Sequence, residues 1–212
     1  MGAKTAFAAV IDGDPRVRLR EGAPDAAAAA ALVSEWLPGT WMPGEPTTLG
    51  SGIYPRHQVN ALRLPGLDIV GADDVLGWVE GDLPPHVAEA VGDRRLVIHQ
   101  MHSVNDSMGF GVWQSGVRIR ALGMDPDNGV FIDEGEPTAA ELPFWQGERP
   151  EEDDYPLPFH PLDLAEELLR AELSFVLEGM PEPGDVDPYD IPMYTFTRGP
   201  APGGRRGLFR RR

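Results

Sequence analysis

Short apolar runs separated by turn residues predict a chain built largely from β-strands. Residues 4–11 (KTAFAAVI) are apolar at most positions and end at Asp12-Gly13-Asp14-Pro15. This pattern is typical of a strand buried on both faces and closed by a turn. Residues 59–72 predict one strand, or two short strands broken at Pro65-Gly66. A last strand is predicted over residues 191–196, with Tyr194 and Phe196 on the same side.

The strongest β pattern lies between residues 94 and 133. Two segments, RRLVIHQMHSV and MGFGVWQSGVRIRALGM, are joined by Asn105-Asp106-Ser107. Ser115-Gly116 predicts a turn inside the second segment, and apolar residues from Val117 onward then alternate with Arg118 and Arg120. Polar residues along one side predict an antiparallel sheet with one solvated face. A further turn leads into GVFID, so we expect a meander of turn-bounded strands.

Three segments have helical patterns. Asp25 precedes an alanine-rich run that ends at Pro38-Gly39, and residues 84–91 predict a short helix that ends at Gly92. The clearest helix is predicted over residues 162–178, ending at Gly179. Its apolar stripe consists of Leu162, Ala165, Leu169, Leu173 and Val176.

The remaining segments are rich in glycine and proline. Residues 39–57 predict mostly loop with at most one short strand, and residues 134–161 predict a long polar connection anchored by aromatic side chains. Strands and helices neither alternate regularly nor separate fully, which favours the α+β class. We expect one domain over residues 1–197, a mostly antiparallel sheet with helices packed on one face. Residues 198–212 hold six arginines and no acid, which predicts a flexible basic tail.

Composition excludes several classes of function. There are 18 Lys and Arg against 34 Asp and Glu, which gives a net charge of −16. Such a chain repels phosphate backbones and anionic lipid, so we expect no nucleic-acid partner and no membrane association. It contains no cysteine, which excludes disulfides, a thiolate nucleophile and Cys-ligated metal. No membrane span and no signal peptide are evident, so the predicted location is the cytoplasm.

Candidate chemistry centres on His99, His102, Asp106 and His160. On a strand, His99 and His102 lie on opposite faces because three residues is an odd separation. They therefore cannot share a metal unless a bulge intervenes. Histidines that hydrogen-bond to backbone or to a carboxylate explain the pattern equally well. We expect no cofactor and no bound metal, and the alternative is a metal-dependent hydrolase that uses these four residues.

Several segments together resemble a family of uncharacterised bacterial proteins from genomes of high GC content. They are MGAKTAFAAVIDGD, RRLVIHQMHSVND, GVWQSGVRIRALGMDPDNGVFIDEGEP, ELPFWQGE and YPLPFHPLDLAEELLRAELSFVLEG. The resemblance covers residues 1–196 in the same order and leaves the tail outside. The family is known only as a domain of unknown function, so the resemblance implies one full-length intracellular domain and no functional residue.

Charge and the lack of a catalytic motif lead to a functional hypothesis. We expect a non-enzymatic protein-interaction module, because a strongly acidic body steers a positively charged partner. Its partner is an unidentified protein, a basic one being the favoured kind, and the oligomeric state is open. The predicted binding residues are acids beside two aromatic anchors: Trp145, Glu151, Glu152, Asp153, Asp154 and Tyr155.

Overall fold

A computed structural model describes residues 4–151 and 154–200, in which one antiparallel sheet is packed against helices. The strands of this part are β1 (Lys4–Ile11), β2 (Trp41–Pro43), β3 (Thr47–Thr48), β4 (Val59–Leu64), β5 (Leu67–Gly71), β6 (Arg95–His102), β7 (Ser107–Gln114), β8 (Val117–Asp125), β9 (Gly129–Gly135) and β10 (Pro192–Arg198). Its helices are α1 (Pro15–Glu21), α2 (Ala26–Trp36), α3 (Leu49–Gly52), α4 (Pro85–Val91), α5 (Leu142–Trp145) and α6 (Pro161–Leu173). The predicted α+β class is confirmed.

The order of strands across the sheet is β2-β10-β4-β5-β1-β6-β7-β8-β9, and β3 pairs with β10 beside this path. Every pairing is antiparallel. The predicted meander is confirmed and comprises β6 to β9, and residues 59–72 form the hairpin of β4 and β5. None of the helices in the described part is both long and apolar enough to span a membrane.

Helices cover both faces of the sheet, not one face as expected from the sequence. Phe7 and Ala9 of β1 belong to a core layer beneath α6, whereas Ala8 and Val10 belong to a second layer beneath α2 and α4. We call these two sides the α6 face and the α2 face. The central strand β1 is apolar on both sides, so each side needs a helical cover to exclude water.

Helix α6 ends five residues earlier than the predicted end at Glu178. The backbone of Ser174 is left-handed (φ 61°, ψ 33°), and this conformation stops the helix after Leu173. The carboxylate of Glu166 then accepts the backbone N–H groups of Leu177 and Glu178, which folds the following segment back against the helix. A serine in a left-handed cap has no distinctive sequence signal, whereas Gly179 carries one.

The helix starts at Asp14 and Asp25 depend on their carboxylates. Asp25 accepts the backbone N–H of Ala28 at 2.8 Å, and the predicted helix that follows is confirmed as α2. Asp14 accepts the N–H of Arg16 at 2.9 Å and begins α1, which the sequence did not predict. Residues 39–57 also contain more regular structure than expected, namely β2, β3 and the single turn α3.

The burial of the first residues of β8 is the reverse of what the sequence pattern predicts. Arg120, expected on a solvated face, has a side chain only 1% exposed, whereas Val117 and Ile119 are 63% and 45% exposed. A register shift between Val112 and Trp113 of β7 changes which side of β8 meets the core.

The predicted basic tail begins inside the last strand. Arg198 pairs with Trp41, so the first residue of the predicted tail belongs to β10. Residues 201–212 lie outside the described part.

Candidate functional site

His99 lies in the core beneath α6. Its Nδ1 is 2.7 Å from the hydroxyl of Thr5 and its Nε2 is 2.9 Å from the carbonyl oxygen of Ala165. These partners imply that Thr5 donates to Nδ1 and that Nε2–H donates to Ala165, and the ring stacks on Phe7. Burial lowers the pKa of His99 from 6.5 to about 4. His99 is therefore a neutral side chain that ties α6 to the sheet, with both ring nitrogens engaged.

Asp106 and His160 approach each other beside the start of α6. The Oδ2 of Asp106 is 3.7 Å from the Nε2 of His160. The Nδ1 of His160 accepts the backbone N–H of Leu162 and caps α6, and its ring stacks on Tyr155. Within residues 4–151 and 154–200, no three His, Asp or Glu side chains are close enough to share a metal ion. Of the four predicted catalytic residues, this one pair has its side chains in contact.

His102 points to the α2 face, opposite to His99, as the alternation along β6 predicts. It lines a cleft of about 580 Å³, the His102 cleft, at the end of the sheet where β6 turns into β7. Its Nδ1 accepts the backbone N–H of Val104 at 3.3 Å. The walls of this cleft are apolar side chains of the segment after β5 and of β9: Leu76, Val79 and Phe131.

The floor of the His102 cleft is flat because glycines follow one another across the strands. Gln100, Gly109 and Gly123 are register partners on β6, β7 and β8. A Cβ on Gly123 would lie 2.5 Å from the ring of Phe131, and one on Gly109 would lie 3.2 Å from the Oε1 of Gln100. Gln100 donates to the carbonyl of Val75 at 3.0 Å and so fixes one wall of the cleft. Tyr54 also lines this cleft, as do His57 and Asp73, whose Nδ1 and Oδ2 atoms lie 3.2 Å apart.

The predicted binding residues lie in one loop, residues 145–155, which we call the acidic loop. Its two aromatic residues, Trp145 and Tyr155, hold it to the core. Trp145 packs edge-on against Phe159, and its Nε1 donates to Glu141. Tyr155 is half-buried, and its hydroxyl has no hydrogen-bond partner in the described part of the chain. Burial, together with the negative charges of nearby acids, raises the pKa of Tyr155 to about 12.

The acids of this loop differ in exposure. Glu148 and Asp154 are exposed, and Glu151 is half-buried. Glu152 and Asp153 lie outside the described residues. The aromatic pair therefore anchors the loop, and its exposed acids are the groups that a partner would meet first.

A buried ion pair that the sequence did not indicate joins this loop to the sheet. The guanidinium of Arg120 donates to Glu141, to Asp133 at 2.6 Å and to the carbonyl oxygens of Glu134 and Gly135. Glu141 is fully buried and also accepts the backbone N–H of Thr138. The available signal was an acid in the middle of the apolar stretch AAELPFW.

Strand β9 forms one outer edge of the sheet. In the described part of the chain, β9 pairs with β8 alone, so its other side is open. Val130 and Phe131 lie next to Gly123 and Met124 of β8, and their side chains are 38% and 46% exposed. We call Val130, Phe131 and the open side of β9 the β9 edge.

The fold and these surfaces define a single-sheet α+β domain with a cleft beside His102 and an open apolar edge. The chain belongs to a family of unknown function, DUF6928, whose model matches residues 5–196. No curated protein and no solved structure matches the chain.

Proposed function

We propose that this protein is a non-enzymatic interaction domain that binds an extended, basic segment of a partner protein along the β9 edge. The observation that carries the proposal is the apolar half of β9 lying open at the end of the sheet. A free strand edge offers backbone N–H and C=O groups to a further strand, which is a common mode of peptide recognition.

Soluble proteins usually protect such an edge with charged side chains. The two acids on β9 provide little protection here, because Asp133 is paired with Arg120 and Glu134 with Arg118 at 2.7 Å. Their charges are thus neutralised by arginines of the neighbouring strand. The opposite half of the strand, around Val130 and Phe131, carries no charge at all. This half of the β9 edge therefore has no charged side chain to oppose pairing, and Phe131 is an extra residue in the register of β9 with β8.

A basic partner follows from the charges around the edge. Asp127 lies in the turn before β9 and Glu136 directly after it, and both are exposed. The acidic loop leaves from the same region, because the Arg120–Glu141 pair fixes the start of α5 next to the end of β9. In this proposal the loop steers the partner with the six predicted residues: Trp145, Glu151, Glu152, Asp153, Asp154 and Tyr155. We take the protein to act in the cytoplasm.

The test compares two charge insertions on exposed apolar residues. Val130→Lys places a charge on the β9 edge, and Met180→Lys places the same charge on an exposed residue (85% exposed) between α6 and β10. Untagged lysate is passed over the immobilised full chain, and retained proteins are identified by mass spectrometry. We expect a partner that is retained by the wild-type chain and by Met180→Lys but lost with Val130→Lys.

A second arm tests the charge of the partner. A variant with Glu148, Glu151 and Asp154 each changed to Lys should retain the same partner less well, and binding by the wild-type chain should weaken as salt is raised. Equal retention by Val130→Lys and Met180→Lys, with thermal melts confirming that both variants fold, would contradict the proposal. So would the absence of any protein retained above background.

A further inference from the structure

Two cationic side chains converge on one aromatic ring at the edge of a second cleft. The Nζ of Lys4 lies 5.4 Å from the centroid of the Tyr54 ring, and the Cζ of Arg56 lies 5.7 Å from it. All three side chains line a cleft of about 640 Å³, which we call the Tyr54 cleft. It adjoins the His102 cleft, because Tyr54 lines both.

These two cations differ from most arginines of the sheet. Arg63, Arg95, Arg118 and Arg120 each form an ion pair with a carboxylate at 3.0 Å or less. Within residues 4–151 and 154–200, Lys4 and Arg56 have no carboxylate within 4.0 Å. In a chain of net charge −16, two like charges without a carboxylate partner create a local positive potential. This positive potential favours the binding of an anion between Lys4 and Arg56.

The backbone that presents Arg56 is strained. Residues 55–58 form a tight turn closed by the bond from the N–H of Gln58 to the carbonyl of Pro55 (3.1 Å). Its two central residues, Arg56 and His57, have φ of 47° and 69°. Consecutive positive φ values are typical of a type I′ turn, which strongly favours Asn-Gly at these positions.

Arg and His at these two positions therefore oppose the local backbone preference, which indicates that their side chains are required. The turn directs Arg56 into the Tyr54 cleft and His57 into the His102 cleft. Left-handed backbone at non-glycine residues is strained, and it persists where the surrounding structure holds it in place, commonly at ligand sites. The cleft, the two cations and the strained turn are separate observations that agree.

We propose that the Tyr54 cleft binds a small molecule that carries an oxyanion, a phosphate or a carboxylate, on a planar apolar body. Lys4 and Arg56 would hold the oxyanion, since a guanidinium matches either group with paired N–H donors. The ring of Tyr54 and the side chains of Val104, Leu177 and Tyr189 offer the apolar contact. Glu178 is the acid that lines the cleft, and it leaves a net positive charge there. This site is separate from the β9 edge.

The test uses phenyl phosphate and benzoate as probes, with phenol as a neutral probe of the same ring. Binding to the full chain, without an N-terminal tag, is followed by calorimetry and by amide NMR shifts. We expect saturable binding of at least one anion with a dissociation constant of about 1 mM or lower, and no saturation with phenol. Whichever anion binds more tightly identifies the group, phosphate or carboxylate, that the site prefers.

Two variants separate this site from general electrostatics. Arg56→Asn should weaken binding at least ten-fold while raising the denaturation midpoint, because asparagine tolerates the left-handed conformation better. Arg16→Asn removes the same charge from α1, outside the cleft, and should leave binding unchanged. Equal weakening by both variants, or no saturation with either anion, would overturn the proposal.

Discussion

Two polar side chains in the interior, His99 and Arg120, connect the sheet to segments far away in the chain. His99 hydrogen-bonds to Thr5 and to the backbone of α6, and Arg120 bonds to Glu141 and Asp133. A buried polar group costs free energy unless its hydrogen bonds are satisfied. Both residues meet this condition, and each therefore fixes the position of an element as well as contributing to the core.

The buried histidine predicts a loss of stability in acid. The pKa of His99 is about 4 in the folded chain and 6.5 when solvated, so the unfolded state binds more protons between these values. Stability is thus complete above pH 6.5 and falls as the pH drops towards 4, by about 3 kcal/mol at most. Denaturant titrations at pH 7 and pH 4.5 measure the change.

His99→Gln keeps an acceptor and a donor but cannot titrate, so its stability should change less between the two pH values. His102→Gln is the matched control, since His102 is not buried in the core and should leave the dependence as in the wild type. The same pH dependence in His99→Gln as in the wild type would refute the role assigned to His99.

The ion pair of Arg120 predicts unequal costs for its two acidic partners. Glu141→Ala leaves a buried guanidinium short of its main partner and should lower the free energy of unfolding by about 3 kcal/mol. Asp133 is half exposed, so Asp133→Ala should cost less than about 1 kcal/mol. Denaturant melts compare them, and similar losses in both variants would show that Glu141 is not the main partner.

At the scale of elements, α6 is the main cover of one face of the sheet. It packs on β6 and β7, and its apolar side contributes Leu164, Leu168 and Leu169 to the core beneath it. In β8, by contrast, one extra residue opposite Val112 and Trp113 turns Arg120 inward and leaves Val117 outward. The packing of α6 follows its periodicity, whereas the exposure of β8 follows the pairing with its neighbour.

Leu169→Ala tests the packing of α6. Leu169 is buried in the centre of the apolar side, so its truncation should cost about 2–5 kcal/mol in a denaturant melt. Ala171→Gln, at an exposed position of the same helix, should change stability by less than about 0.5 kcal/mol. A loss below that value in Leu169→Ala would contradict the buried position of the helix.

For the whole molecule, the uneven charge separates an acidic body from a basic end. Residues 201–212 contain five arginines and no acid, with Leu208 and Phe209 as their large apolar residues. Arg198 is paired in β10, and the N–H of Gly199 bonds to the carbonyl of Thr40 at 2.8 Å. The last strand therefore belongs to the domain up to this point.

Truncation after Pro200 should leave the melting temperature nearly unchanged, because the removed sequence has too little apolar surface to join a core. Truncation after Thr197, which removes Arg198 and the bond of Gly199, should lower it by several degrees. Differential scanning calorimetry measures both. A large drop with the shorter truncation would show that residues 201–212 stabilise the domain.

The sequence by itself determined the α+β class, the meander, the Asp25-capped helix and the separation of His99 from His102 across β6. These follow from periodicity and capping, which are local properties of neighbouring residues. The tertiary structure decided that helices cover both faces, that Ser174 ends α6 and that Arg120 is buried. It also brought Lys4 and Arg56 together on Tyr54. Such features depend on register, on backbone conformation and on contacts between distant residues, which no local pattern of residues encodes.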